Sequence, residues 1–169
     1  QLDLKSLVST KKITGNGKII VDATGFDGNA IQLITADMSG FTGTIKVINA
    51  PVIAEITSTG LLIKQAAAAI GNVGYATFAE ALAAAQAGDT IVLLTDLADI
   101  AIEVNKNITI SGDVTLNNVS INAVEGATEL TVSGLTFIGK YETMGFGATV
   151  TEDMRSVKNP RRVVFKNAM

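Results

Sequence analysis

The chain has 169 residues, of which 47% are hydrophobic and 5% aromatic, with no tryptophan. That length makes one large domain or two small ones, and that apolar share excludes global disorder. There is no cysteine and no histidine, which excludes disulfides, thiolate chemistry and the commonest metal ligand, and the net charge is −3, with basic residues near the C-terminus that could contact phosphates but lack the stacking aromatics of a nucleic-acid reader.

The core must come from Ile, Val, Leu and Ala. Such strands stack into uniform layers better than they line a sugar groove. The charge is unevenly placed. From Met154 to Met169 there are five basic residues (Arg155, Lys158, Arg161, Arg162, Lys166) and no acid, while residues 1–153 hold eight Lys/Arg against sixteen Asp/Glu, a net of −8. An acidic body with a basic tail can mate tail to body between copies. No run of 18 apolar residues is present, so no membrane span is expected. The chain starts at Gln1, which reads as a processed end or a fragment boundary.

In chain order, residues 1–64 read as a β-rich module. Strands are expected at Lys18–Asp22, Ala30–Thr35, Thr44–Ile48, Val52–Ile56 and Leu61–Lys64. Between them lie clusters such as Thr14-Gly15-Asn16-Gly17 and Gly25-Phe26-Asp27-Gly28-Asn29, where Gly and Asn tolerate the positive φ of tight turns. Asp22, Asp27 and Asp37 belong to such turns and read as Asx-turn residues. Residues 65–89 read as a linker and a capping helix. Thr77-Phe-Ala-Glu80 is a capping box, Phe78, Ala81, Leu82 and Ala85 share one stripe, and Gly88 is a stop signal, so a helix is expected over about 78–87.

Residues 90–141 return to strands: Ile91–Leu94, Ile102–Val104, Ile108–Ile110, Val114–Leu116, Val119–Ile121, Leu130–Val132 and Leu135–Phe137. Most are apolar–polar–apolar triplets, the period of a strand with one buried face. The step from Ile108 to Leu130 nearly equals the step from Val114 to Leu135. A near-constant offset of roughly 20–25 residues is what a solenoid needs to return each coil to the same place; a hairpin meander is the competing arrangement. Residues 142–169 read as a basic C-terminal tail, with a strand near Arg162–Phe165.

The stretch Tyr75–Gly112 runs aromatic, capping helix, Ala-Gly-Asp-Thr, apolar strand, then Lys-Asn-Ile-Thr-Ile-Ser-Gly. Through Phe78, Leu82, Gly88, Asp89, Thr90, Ile91 and Asn107–Gly112 it resembles the start of right-handed parallel β-helices of the pectin-lyase-like superfamily, which occur in polysaccharide lyases, bacterial surface proteins and phage fibres. The resemblance implies that the helix plugs the first coil. Gly60–Ala68 is similar to the joint before the variable part of some bacteriophage head-fibre proteins. The family's calcium-binding acid clusters and catalytic basic residues have no clear counterpart here, so no active-site residue is carried over.

Asp96, Asp99 and Glu103 are close together and could hold a hard cation or act as a carboxylate pair, but they match no ligand code and read as solvated loop acids. Asn107-Ile-Thr109 and Asn118-Val-Ser120 fit the glycosylation pattern and read better as an Asn ladder between stacked turns. The glycine runs Thr14–Lys18 and Gly145–Gly147 lack nucleotide-loop spacing. The expectation is an all-β chain with one short helix, a right-handed parallel β-helix with an N-terminal β-rich module. Its expected role is a non-enzymatic structural protein of a virion or cell surface, with no cofactor or metal. Its partners would be copies of itself, other structural subunits and surface glycans, not nucleic acid. The assembly contact would be Arg155, Lys158, Arg161, Arg162, Val163, Val164, Phe165 and Lys166. A carbohydrate-binding or polysaccharide-degrading β-helix is the alternative.

Overall fold

The computed structural model describes residues 1–124, 129–144 and 149–165. Strands dominate it, with one short helix among the described residues. The chain divides into two compact units, Gln1–Ala76 and Thr77–Met169.

The first unit holds β1 (Leu2–Asp3), β2 (Val8–Gly15), β3 (Lys18–Asp22), β4 (Ile31–Phe41), β5 (Thr44–Ile48), β6 (Val52–Thr57), β7 (Gly60–Gln65), β8 (Ala68–Ile70) and β9 (Val73–Tyr75). Its first five strands alternate between two sheets, and every pair is parallel. Leu2 faces Val21, Lys18 faces Thr44 and Val8 faces Ile34, so each pass of the chain returns to the sheet it left. A hairpin ends this run. Only Ser58 and Thr59 separate β6 from β7, too few for a parallel crossover, and β7 pairs antiparallel with both β6 and β4. Val21, Leu33, Met38, Leu61 and Ile63 form the core. Leu33 and Ile34 are adjacent yet both buried, because the β4–β7 register shifts between Gln32 and Ile34 and turns two successive side chains inward.

Residues 65–76 are not the expected linker. Gln65 ends β7, and β8 and β9 form a hairpin whose first central residue is Gly71 at φ +57°. The boundary between units therefore falls after Ala76, and the capping helix belongs to the second unit.

The second unit holds α1 (Phe78–Ala84), β10 (Thr90–Leu93), β11 (Leu97–Val104), β12 (Ile108–Gly112), β13 (Thr115–Ala123), β14 (Glu129–Met144) and β15 (Thr149–Phe165). All of its described pairings are parallel. Thr90 faces Thr109 and Leu97 faces Leu116 at one common offset, and Ile108 faces Leu130 at a slightly longer one. β14 pairs with β12 through its first half and with β13 through its second, so the separately expected triplets join into longer strands. The registers place like on like: Ile91, Ile110 and Val132 form one buried column, and Leu116 and Phe137 belong to another. β15 follows β14 along nearly its whole length, so residues 149–165 are strand rather than a separate tail.

The helix starts where its capping box predicts, with the Glu80 N–H donating to Thr77 Oγ1 at 3.1 Å. It ends at Ala84, earlier than expected, because Ala85 is extended. Phe78, Ala81 and Ala85 are buried, while Leu82 is half-buried beside Glu103, Asn105 and Lys106. The last turn has no basic residue of its own. Lys106 supplies the charge, donating from Nζ to the Ala85 carbonyl at 2.9 Å and the Leu82 carbonyl at 3.3 Å.

Candidate functional site

The residues expected to make the assembly contact lie along β15. Lys158 faces Ile138, Arg162 faces Lys140, and Val163, Val164 and Phe165 face Tyr141, Glu142 and Thr143. Arg155 and Arg161 fall at register shifts, where bulges break the alternation of the strand. Lys166 and Gly145–Gly147 lie outside the described residues. All the basic residues of Arg155–Arg162, and the apolar triplet after them, thus ride on the outermost strand of a parallel stack. Among the described residues β15 pairs with β14 alone, and a strand at the edge of a sheet has one row of backbone donors and acceptors left for a further partner.

The acids after β10 do not converge. Asp96 Oδ1 accepts the Thr115 N–H at 2.7 Å, and Asp99 Oδ1 accepts Asn118 Nδ2 at 2.9 Å. Glu103 is exposed and faces Asn122 in the ladder. Among the described residues no three His, Cys, Asp or Glu side chains group as a metal site. Asp99 and Asn118 instead form a column. Both have positive φ, at +51° and +53°. The next residue in that column is Gly139 at +74°, where a Cβ would overlap Asn118 Oδ1. A second cross-link joins the Glu129 N–H to Asn107 Oδ1 at 3.0 Å. The two asparagines that fit the glycosylation pattern thus tie successive passes of the chain together.

In the first unit the turn aspartates behave as expected. Asp22 Oδ1 accepts the Thr24 N–H at 3.1 Å, the Thr24 hydroxyl at 2.7 Å and Asn49 Nδ2 at 2.9 Å. Asp27 accepts the Asn29 N–H, and Asp37 the Ser39 N–H, both at 2.9 Å. Asp3, which the sequence reading passed over, accepts the Ser6 hydroxyl and the Lys5 N–H. Its only sequence signal was the spacing Asp-Leu-Lys-Ser.

These hydrogen bonds hold all four carboxyls below their ordinary range: the Ser6 hydroxyl at Asp3, the Asn49 amide at Asp22, the Asn29 N–H at Asp27 and Ser39 at Asp37. A carboxyl whose pKa is lowered by folding stabilises the fold above its unfolded pKa, near 4, and loses that contribution as pH falls through its folded value. Thermal melts of the first unit are therefore expected to be flat from neutral pH down to about 5 and to drop below about 4. Asp22→Asn should melt lower than the parent at neutral pH and fall less on acidification. An equal acid-induced drop in parent and variant would refute the assignment to Asp22.

Two open recesses mark the surface of the first unit. One of about 390 Å³ runs beside β5 and is lined by Ile45, Val47, Val52, Ile53 and Val73. The other, of about 580 Å³, lies between the turns that carry Asp3, Lys5, Asp27 and Asn29. The carboxylates that line the second, Asp3 and Asp27, accept hydrogen bonds from their own turns. Among the described residues no helix is long and apolar enough to cross a membrane. No protein-family model, curated protein or solved structure matches the sequence.

Proposed function

We propose that the chain is a non-enzymatic structural protein of a surface assembly, a segment of a virion fibre or head decoration or of a bacterial cell-surface scaffold. In this reading the second unit is a short right-handed parallel β-helix of the pectin-lyase-like kind, and its work is to be a rigid spacer. The observation that carries the proposal is the succession of parallel pairings through β10, β12, β14 and β15, with a step of similar length from each strand to the next despite the register shifts of β14 on β15. A stack built this way satisfies its internal backbone groups and packs aliphatic columns with no need of a site.

The open end of that stack is β15, and the proposal makes it the assembly contact. Its partner is a second copy or another acidic subunit. The basic residues Arg155, Lys158, Arg161 and Arg162 steer it toward an acidic surface; each exposed ion pair contributes roughly 0–1 kcal/mol, so Val163, Val164 and Phe165 supply most of the affinity. Light scattering with negative-stain imaging tests the idea. An oligomeric mass is expected at low salt, falling as salt screens the contact. Arg161→Glu combined with Arg162→Glu should give folded monomer. A parent chain that stays monomeric at high concentration and low salt would sink the assembly reading.

A further inference from the structure

We propose that Asn16 is a site of spontaneous modification, in which the Gly17 backbone nitrogen attacks the Asn16 side-chain amide and converts it to aspartate and isoaspartate. The two residues form the corner between β2 and β3, and both are exposed. The corner is clamped on either side of the reacting peptide. The Thr42 N–H donates to the Gly15 carbonyl at 2.8 Å, and the Thr44 N–H to the Gly17 carbonyl at 3.0 Å. Between these clamps lies the Asn16–Gly17 peptide, and among the described residues no hydrogen bond is made to the Asn16 carbonyl, the Gly17 N–H or the Asn16 side-chain amide. That peptide therefore has no hydrogen bond of its own to give up when its nitrogen approaches the amide.

Gly17 also offers no steric obstacle. It has no Cβ, so no side chain on the attacking residue shields its nitrogen from the Asn16 amide. The asparagines that cross-link neighbouring strands lack these features. Asn118 is followed by Val119 and its amide donates to Asp99; Asn49 is followed by Ala50 and its amide donates to Asp22.

In the first step the Gly17 nitrogen gives up its proton and bonds to Asn16 Cγ, the Cγ–Nδ2 bond breaks, and Nδ2 leaves as ammonia. Water then opens the five-membered imide. Cleavage between Cγ and the Gly17 nitrogen leaves aspartate; cleavage between the main-chain carbon and that nitrogen leaves isoaspartate, with the backbone rerouted through Cβ and Cγ. The second product lengthens the chain between two clamped carbonyls. The corner has no slack to absorb it, because a Cβ at Gly43 would already overlap the Gly17 carbonyl oxygen. Isoaspartate at position 16 therefore loosens the corner.

The test is to hold the full chain in mildly alkaline buffer and follow intact mass, peptide mapping and enzymatic methylation of isoaspartate. The expected result is a gain of about one dalton located at Asn16 before any other asparagine converts. Asn16→Gln should abolish that early gain. Gly17→Ala, which places its Cβ in open space, should stay folded and slow it. Conversion that starts at another asparagine, or proceeds as fast in Gly17→Ala as in the parent, overturns the proposal.

Discussion

Replacing Gly60 by Ala is expected to destabilise the first unit by about 3 kcal/mol or more, the size reached when backbone strain and a steric clash coincide. Gly60 opens β7 at φ +134°, a conformation that side chains rarely adopt. A Cβ there would overlap the Ile34 carbonyl oxygen, sit 2.8 Å from the Ile34 carbonyl carbon and 3.0 Å from the Ala36 nitrogen. All three atoms are main chain of β4, so no rotamer change relieves the contact. Relief requires β7 to move away from β4, which would give up the pairing that closes this end of the parallel run. Gly71→Ala separates the two causes. Gly71 has φ +57° but nothing within 4 Å of the Cβ position, so that variant carries backbone strain alone, about 1 to 2 kcal/mol. Denaturant melts of both variants give the comparison. Equal losses at the two positions would mean that β4 and β7 are not in the close register described.

The parallel return was readable in the sequence because it leaves a mark at fixed spacing. Ile108 and Leu130 share an apolar–polar–apolar pattern, and they do face one another. The capping box at Thr77 was readable for the same reason, since it needs two residues three apart. What escaped reading was decided by distant parts of the chain. Val8–Gly15 is almost wholly exposed and has no apolar alternation, so nothing local marks it as a strand; the backbone of β4 makes it one. The alanines from Ala66 to Ala69 favour helix by intrinsic propensity, yet Ala66, Ala68 and Ala69 are buried in and beside β8. Small side chains suit that place: a Cβ on Gly74 would come within 2.9 Å of the Ala66 Cβ. In β15 a proline obscured the strand, but Pro160 stands opposite Gly139 at a register shift, where a missing N–H is tolerated.

The candidate site divides in the same way. That Asn107 and Asn118 serve a ladder follows from their type and their place at turns. That Asn118 meets Asp99 does not, because finding the partner requires the register of β11 on β13. The acids Asp96, Asp99 and Glu103 looked like a cluster when read along the chain. Folding sends the first to the Thr115 backbone and the second to Asn118, leaving the third at the surface.

Ile110→Ala is expected to destabilise the second unit by about 2 to 5 kcal/mol, whereas Thr109→Ala, one residue away, should change it by no more than about 0.5 kcal/mol. Ile110 is 1% exposed and stands in register between Ile91 and Val132, which are both fully buried. Truncating it leaves a void between two layers that cannot close, because the strands on either side are held at ladder spacing by their own hydrogen bonds. Thr109 points to the opposite face of the same strand, between Thr90 and Thr131, and is only partly buried. Removing its hydroxyl and methyl opens no cavity. The pair reads the in–out alternation of the middle layer directly, since a slip of one residue would exchange the two outcomes. It also bears on the proposed role. A rigid spacer transmits a defect in one layer to its neighbours, so Ile110→Ala should raise amide exchange in β10 and β14 along with β12. Loss of protection confined to β12 would mean that the layers open independently, and a stack of that kind would make a poor strut.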